Sequence, residues 1–196
     1  MMDVKPVMLE GRHARLEPLT EAHIPGLAQI GLKQDFWQYM LYGDINTEED
    51  MANWVRDMLG RAARGTDLPF AVIHLASGRV AGATRYLNIV PKDRGLEVGG
   101  TWYGLEFQRT AVNTECKYLL IGHAFEMLGC IRVQLKTDLL NERSQKAIER
   151  IGAKKEGVLR NHLILPDGRI RDSVFYSILD SEWPKVKKNL KEMMKE

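Results

Sequence analysis

The sequence predicts a single α/β domain with a central mixed, mostly antiparallel sheet flanked by helices. Short β-rich runs separated by turn signals fill residues 70–103, which is typical of an antiparallel meander. From residue 112 onward the apolar period changes and the order becomes helix, strand, helix. That order implies a crossover connection and therefore parallel neighbours in the sheet. A length of 196 residues with 44% apolar composition suits one domain, assigned to residues 1–196.

The first half supplies an edge strand, two helices and three strands. Residues 14–19 alternate like an edge strand, and Thr20 opens a helix that runs towards Ile30. Thr47 resembles an N-cap, because Glu48, Glu49 and Asp50 follow it, and it opens a second helix that reaches about Arg64. The three strands are expected at 70–75, 80–90 and 96–103.

The second half supplies three helices and three strands. An apolar face that includes Val112, Leu120 and Met127 predicts a helix over 112–128. The remaining elements are a strand at 131–137, a helix at 141–151, a hairpin of 158–165 with 170–179, and a charged terminal helix at 181–195.

Composition excludes several classes of function. The formal charge is +2, with 28 basic and 26 acidic residues mixed along the chain, so no basic stripe for nucleic acid is expected. No run approaches the ~20 apolar residues that span a bilayer. Cys116 and Cys130 belong to no metal-binding pattern, and no metal site is expected. Two isolated cysteines and no signal-peptide pattern predict a cytoplasmic protein without membrane contacts.

Residues 108–115 form the most informative stretch, because a strand ends and a helix begins there. The first amides of a helix have no partner within the helix and carry the positive end of its dipole. A loop that presents them together can hold a phosphate or a pyrophosphate. The sequence therefore predicts an anion site at this junction.

The order of elements and a set of short motifs resemble the GNAT superfamily of N-acetyltransferases, in particular the branch that includes the ribosomal-protein N-terminal acetyltransferases. The resemblance covers nearly the whole chain. The motifs are Gly82, Glu97-Val98-Gly99, Trp102-Tyr103, the loop at Gln108, Thr114-Glu115, Leu119-Leu120, Ala124-Phe125-Glu126, Asn141-Glu142-Arg143-Ser144, Ile148 to Ala153, and Arg171-Asp172-Ser173.

This resemblance implies acetyl-coenzyme A as the co-substrate. The residues expected to bind it are Thr101, Trp102, Tyr103, Gln108, Arg109, Thr110, Ala111, Val112, Asn113, Asn141 and Ser144. The loop departs from the family pattern, because Ala111 and Asn113 stand where the family has small residues, usually glycine. Glycine matters where the backbone approaches a phosphate closely or takes positive φ.

Three residues are the expected catalytic groups. By resemblance, Asn141 contacts the pantetheine arm and Ser144 donates to the departing thiolate, although both types also occur as ordinary caps. Glu97 interrupts an apolar strand and matches a family acidic residue near the acceptor amine, where a carboxylate can act as general base. A satisfied charge at the sheet edge is the alternative for Glu97.

Other residues carry weaker expectations. Arg85, Tyr86 and His162 are expected to line the acceptor pocket. Tyr176 is either a general acid or, the preferred interpretation, a core residue with a satisfied hydroxyl.

The sequence as a whole predicts transfer of an acetyl group from acetyl-coenzyme A to a primary amine, by direct attack in a ternary complex. The acceptor is a protein N-terminus or a small-molecule amine, and exposed sheet edges allow a homodimer. The alternative is a catalytically inactive coenzyme A-binding module, which the substitutions at Ala111 and Asn113 favour.

Overall fold

The computed structural model describes residues 2–195, in which eight strands form one sheet. The strands are β1 (Leu9–Glu10), β2 (Ala14–Pro18), β3 (Leu68–His74), β4 (Arg79–Val90), β5 (Gly95–Tyr103), β6 (Arg132–Asp138), β7 (Lys154–Ile164) and β8 (Ile170–Leu179). Their order across the sheet is β1-β2-β3-β4-β5-β6-β8-β7, and within it only β5 and β6 pair in parallel. The predicted mixed, mostly antiparallel sheet is confirmed.

Within the described residues, five α-helices cover the two faces of this sheet. They are α1 (Ile24–Gly31), α2 (Glu48–Ala63), α3 (Ala111–Glu126), α4 (Glu142–Arg150) and α5 (Trp183–Met193). Neighbouring residues of β4 point to opposite faces: Arg85 reaches Met58 on α2, whereas the Tyr86 hydroxyl donates to Leu120 O on α3. Helices α4 and α5 lie with α3, since Arg150 binds Thr114 and Trp183 binds Glu126.

The expected helices and strands are all present, with ends shifted by a few residues. Thr47 caps α2 as predicted, because its hydroxyl accepts from Asp50 N while Asp50 Oδ2 accepts from Thr47 N. The sequence missed β1 and a 3₁₀ turn at Asp35–Tyr39. Both are short, and neither has a periodic pattern that a sequence window can detect.

The sheet splits between β5 and β6, and this split creates a cleft. The two strands pair only through Gly95, Leu96 and Glu97 of β5, whereas β6 stays paired with β8 as far as Asp138. Beyond Glu97, β5 therefore keeps β4 as its neighbour and has one free edge. Gly100 takes a φ of +57° in this segment, where the register with β4 shifts.

Helix α3 is anchored beside the cleft by the buried carboxylate of Glu115. The backbone amides of Arg12, His13 and Ala14 donate to it at 2.6 to 2.8 Å. Because three amides converge on one carboxylate, the start of the sheet and α3 are fixed relative to each other.

No helix within residues 2–195 has the length and apolar character that crossing a membrane requires.

Candidate active site

The cleft between β5 and β6 is lined by residues that are partly exposed inside an otherwise buried region. Strand β5 supplies one wall, the start of α3 closes one end, and the start of α4 supplies the other wall. The partly exposed residues are Gly99, Gly100, Thr101, Gln108, Ala111, Asn113, Asn141 and Ser144. The structure therefore brings most of the expected coenzyme-binding residues to one cleft.

The α3 loop (residues 108–113) presents backbone amides to this cleft. Thr110 caps α3, because its hydroxyl accepts from Val112 N, and Arg109 takes a left-handed φ of +59°. Within the described residues, the amides of Arg109, Thr110, Ala111 and Asn113 make no hydrogen bond. A strained loop with several free amides at a helix start suits an anion.

Gln108 connects the two walls of the cleft through its side-chain amide. Its Nε2 donates to Tyr103 O at the end of β5 (2.8 Å), and its Oε1 accepts from Arg143 on α4. The loop is thus held in place by both walls, and sequence reasoning, which named Arg143 only as part of a motif, gave it no role.

Asn141 and Ser144 lie at the start of α4, as expected from their spacing. Asn141 Oδ1 accepts from Ser144 N (3.0 Å), so Asn141 is the N-cap of the helix. The Ser144 hydroxyl makes no hydrogen bond to another described residue and remains available to a bound group.

Glu97 is only 2% exposed and is held by donors from two neighbouring strands. Asn88 Nδ2 and Gln134 Nε2 each donate to its Oε2 at 2.9 Å, and Lys136 Nζ lies 3.5 Å from the same oxygen. Its Oε1 points towards Gly99, 3.1 Å from where a Cβ on that glycine would lie. One oxygen is therefore fixed by protein donors, while the other faces the half-exposed backbone of β5.

Glu97 lies on the same surface of the sheet as several polar side chains of β6. This surface, named the Glu97 face, comprises Glu97, Gln134, Lys136 and Asp138. Asp138 is 1% exposed and lies 2.7 Å from Arg169 and 4.0 Å from Arg171. Arg171 Nη1 also donates to Tyr39 O, which holds the 35–39 turn over this end of the sheet.

His162 lies next to the Glu97 face. Its ring packs edge-on against the Phe175 ring at 5.3 Å, and Lys136 Nζ lies 5.6 Å from the centre of the Phe175 ring. Burial lowers the pKa of His162, and the charges of Lys136 and Arg171 lower it further. This histidine is therefore neutral at pH 7 and able to accept a proton.

Arg85 and Tyr86, both expected at the acceptor pocket, lie on opposite faces of β4. Arg85 shares the face of Glu97, where its Nε is 3.0 Å from Asp67 Oδ2 and its guanidinium lies 5.6 Å from the Tyr42 ring. The angle at that contact makes it a charge contact rather than an aligned hydrogen bond. Tyr86 is fully buried against α3 and lies apart from this group.

The remaining expected residues are buried. Trp102 packs among Phe36, Trp37 and Trp54, whereas Tyr103 and Val112 lie in the core on the α3 side. The Tyr176 hydroxyl donates to Glu149 Oε1 (3.0 Å), which agrees with the preferred interpretation of a satisfied core tyrosine. Burial and that contact raise the pKa of Tyr176 to about 12.

A separate depression of about 360 Å³ opens beside Tyr42 and Trp54. Asp44, Asp50 and Asp57 line it, and Arg61 Nε contacts Asp57 at 2.9 Å. The near-neutral total charge of the chain does not reveal this local acidic surface, because its residues come from a loop and one helix.

Comparison with known proteins identifies the family. The model for the acetyltransferase (GNAT) domain matches residues 13–154. The chain therefore belongs to the GNAT acetyltransferase family and is an acyltransferase, as its motifs predicted.

Individual relatives agree with this assignment. The Bacillus subtilis (strain 168) protein named "Putative ribosomal N-acetyltransferase YdaF" is 35% identical over 109 residues, which is 56% of this chain and 58% of that protein. The chain thus matches little more than half the length of this relative. The solved structure of a GCN5-related N-acetyltransferase from Brucella melitensis is 30% identical with a TM-score of 0.90, covering 97% of this chain and 86% of that one.

A third relative shares the fold alone. RimJ from Mycobacterium smegmatis, solved in complex with CoA-disulfide, is 19% identical with a TM-score of 0.81. That similarity covers 96% of this chain and 95% of that one.

Proposed function

We propose that this acyltransferase moves the acetyl group of acetyl-coenzyme A to a primary amine by direct attack in a ternary complex. The observation that carries the proposal is the cleft itself. The free amides of the α3 loop lie at one end of it, and Glu97 Oε1, which has no hydrogen-bond partner among the described residues, faces the backbone of β5 beside it. The first suits a diphosphate, and the second suits an amine that must lose a proton.

The α3 loop holds the diphosphate through the amides of residues 109, 110, 111 and 113, helped by the dipole of α3. Ala111 and Asn113 are compatible with this role, because both lie in the first helical turn at ordinary negative φ, where glycine is not required. The free edge of β5 at Gly99 and Gly100 pairs with the pantetheine amides as an added strand would.

Ser144 donates to the departing thiolate, and Asn141 orients it by capping α4. Glu97 is the general base, because its Oε2 is immobilised by Asn88 and Gln134 while its Oε1 can accept the proton of the amine. His162 is the second candidate base, since its lowered pKa leaves it neutral at pH 7.

The acceptor is a protein N-terminus or a small-molecule amine. The ribosomal role in the name of the Bacillus subtilis relative favours a protein N-terminus, whereas the acidic depression next to Tyr42 suits a polycationic amine. We also propose that the protein forms a homodimer, which a measurement of its molecular mass in solution would test.

The experiment is acetyl-coenzyme A turnover with a panel of peptides and polyamines, read by product mass. At a hundredfold excess over Kd, acetyl-coenzyme A should stabilise the fold by ~2.7 kcal/mol, which a thermal shift detects. Ser144→Ala should lower kcat by about 10–1000-fold with affinity nearly intact, because the hydroxyl acts mainly in the transition state.

The outcomes separate the two candidate functions. Binding without turnover of any acceptor favours the inactive coenzyme A-binding module, whereas an unchanged melting curve at millimolar ligand contradicts both.

A further inference from the structure

Lys117 is a buried cation that the roles above leave unexplained. It lies in the second turn of α3 and is only 7% exposed. Its Nζ donates to Thr101 Oγ1 (2.8 Å), and that oxygen lies 2.7 Å from Thr84 Oγ1. No described carboxylate forms an ion pair with it, and burial lowers the pKa of Lys117 to about 8.

Such a group does not stabilise the fold. An ammonium has three donors, and Lys117 uses one of them within the described part of the chain. Burying a charge without a counter-charge is unfavourable, and an apolar side chain of similar length would suit this position better. The lysine therefore calls for a reason other than stability.

The position of Thr101 supplies that reason. Thr101 follows Gly100 in the part of β5 that has lost its β6 neighbour, and it is half exposed. A strand segment with one free edge and a glycine at positive φ has more conformational freedom than a fully paired one. The hydrogen bond from Lys117 connects this segment of β5 to α3, while the free edge of the segment borders the cleft.

We propose that Lys117 is a positioning residue for acetyl transfer, which acts by holding Thr101 and thereby the free-edged segment of β5 against the reacting thioester. This inference rests on the proposed function, because it assumes that the thioester lies along this segment. A reacting group must be held within about 0.5 Å of its productive geometry. Loss of the contact should therefore lower kcat much more than the affinity for acetyl-coenzyme A.

Lys117→Met tests the inference, since it keeps the length of the side chain and removes the charge and the donor. We expect a folded protein whose KM for acetyl-coenzyme A stays within about threefold and whose kcat falls by about 10–100-fold, the range expected for a small misplacement. Thr101→Val should reproduce this loss, and the double variant should be no worse than either single one. Thr101→Ser keeps the hydroxyl and should lose less than Thr101→Val.

Ile121→Val is the matched control, because Ile121 is fully buried one turn further along α3. It should cost some stability and leave kcat unchanged. If Lys117→Met does not fold, the comparison of Thr101→Val with Thr101→Ser still decides, since both keep the lysine.

Two results would overturn the inference: a wild-type kcat in Lys117→Met, or losses in the two single variants that multiply in the double one. Failure of the proposed function is recognised separately, from the wild-type chain. If the wild type neither binds nor turns over acetyl-coenzyme A, both conclusions fall. If it turns over acetyl-coenzyme A and Lys117→Met does so equally well, only the role of Lys117 falls.

Discussion

The two sides of the cleft differ in whether their buried charged groups have partners of opposite charge. On the surface that carries Glu97, every buried carboxylate described above has a nearby cation: Glu97 has Lys136 at 3.5 Å, Asp67 has Arg85 at 3.0 Å, and Asp138 has Arg169 at 2.7 Å. On the α3 side, within the described residues, Lys117 is buried without a carboxylate and four amides of the α3 loop, those of residues 109, 110, 111 and 113, have no acceptor.

This difference shows what each side is prepared to receive. Where charges already neutralise one another, the protein gains orientation and adds little net attraction for an ion. Where amides at the start of a helix are left without acceptors, an anionic ligand supplies the missing interaction. An amine acceptor on the first side and a coenzyme diphosphate on the second fit these two environments.

The largest expected effect comes from Glu97→Gln, which keeps the shape of the side chain and removes the proton acceptor. General-base catalysis contributes about 10²–10⁴-fold, so kcat at neutral pH should fall within that range. The loss should shrink at high pH, where the amine is already free of its proton. The measurement is a kcat profile from pH 6 to 10.

Glu106→Gln is the control for this prediction, because Glu106 is an exposed carboxylate whose only hydrogen-bond partner among the described residues is Arg79. Its profile should match the wild type. An equal loss at every pH in Glu97→Gln, with weaker acceptor binding, would show that Glu97 positions the amine instead of deprotonating it. No loss at any pH would transfer the role of base to His162.

The same comparison shows which features of the site could be predicted from the sequence alone. The junction at 108–115 and the cap at Asn141 are contiguous in the chain, and local propensity and spacing were enough to predict them. The partners of Glu97 come from β4 and β6, and Arg171 binds a carbonyl 132 residues away. Such contacts depend on strand order and register, which a single sequence does not determine.

Helix α3 shows a second limit. The apolar period suggested a face that included Met127, which is 75% exposed, whereas Glu115 and Lys117 are buried. The carboxylate of Glu115 is satisfied by the amides of residues 12–14, whereas the ammonium of Lys117 has one partner, the Thr101 hydroxyl. The alternation of polar and apolar residues along β6 was a usable signal for the Glu97 face, although it does not reveal which strand supplies the opposing charge.

The next effect concerns a paired charge. Asp67→Asn leaves the buried guanidinium of Arg85 without its counter-charge, which typically costs ~3–5 kcal/mol of unfolding free energy. Chemical denaturation measures this loss. Adding Arg85→Met should recover much of it, because the second change removes the stranded charge. Glu106→Gln breaks an exposed pair and should cost only ~0–1 kcal/mol. Equal losses in Asp67→Asn and Glu106→Gln would mean that the buried pair contributes no more to stability than the exposed one.

The smallest effect concerns the unpaired charge, and its sign is opposite. The pKa of Lys117 is lowered from its usual value of 10.5 to about 8 by burial, so the folded chain holds this proton less tightly than the unfolded chain. The penalty is therefore fully present below about pH 8 and disappears as the pH rises towards 10.5.

Since one pKa unit corresponds to about 1.4 kcal/mol, Lys117→Met should be more stable than the wild type by up to ~3 kcal/mol at pH 7. The two should converge near pH 10.5. Burial raises the pKa of Cys116 to about 12 and that of Cys130 to about 11, which destabilises both proteins at alkaline pH, and the charge of Lys117 itself acts on Cys116. The difference between the two proteins therefore isolates Lys117 at pH 7, where the thiols are protonated in the folded and the unfolded chain. A variant less stable than the wild type at pH 7 would mean that the contact with Thr101 satisfies the lysine and that its charge stabilises the fold.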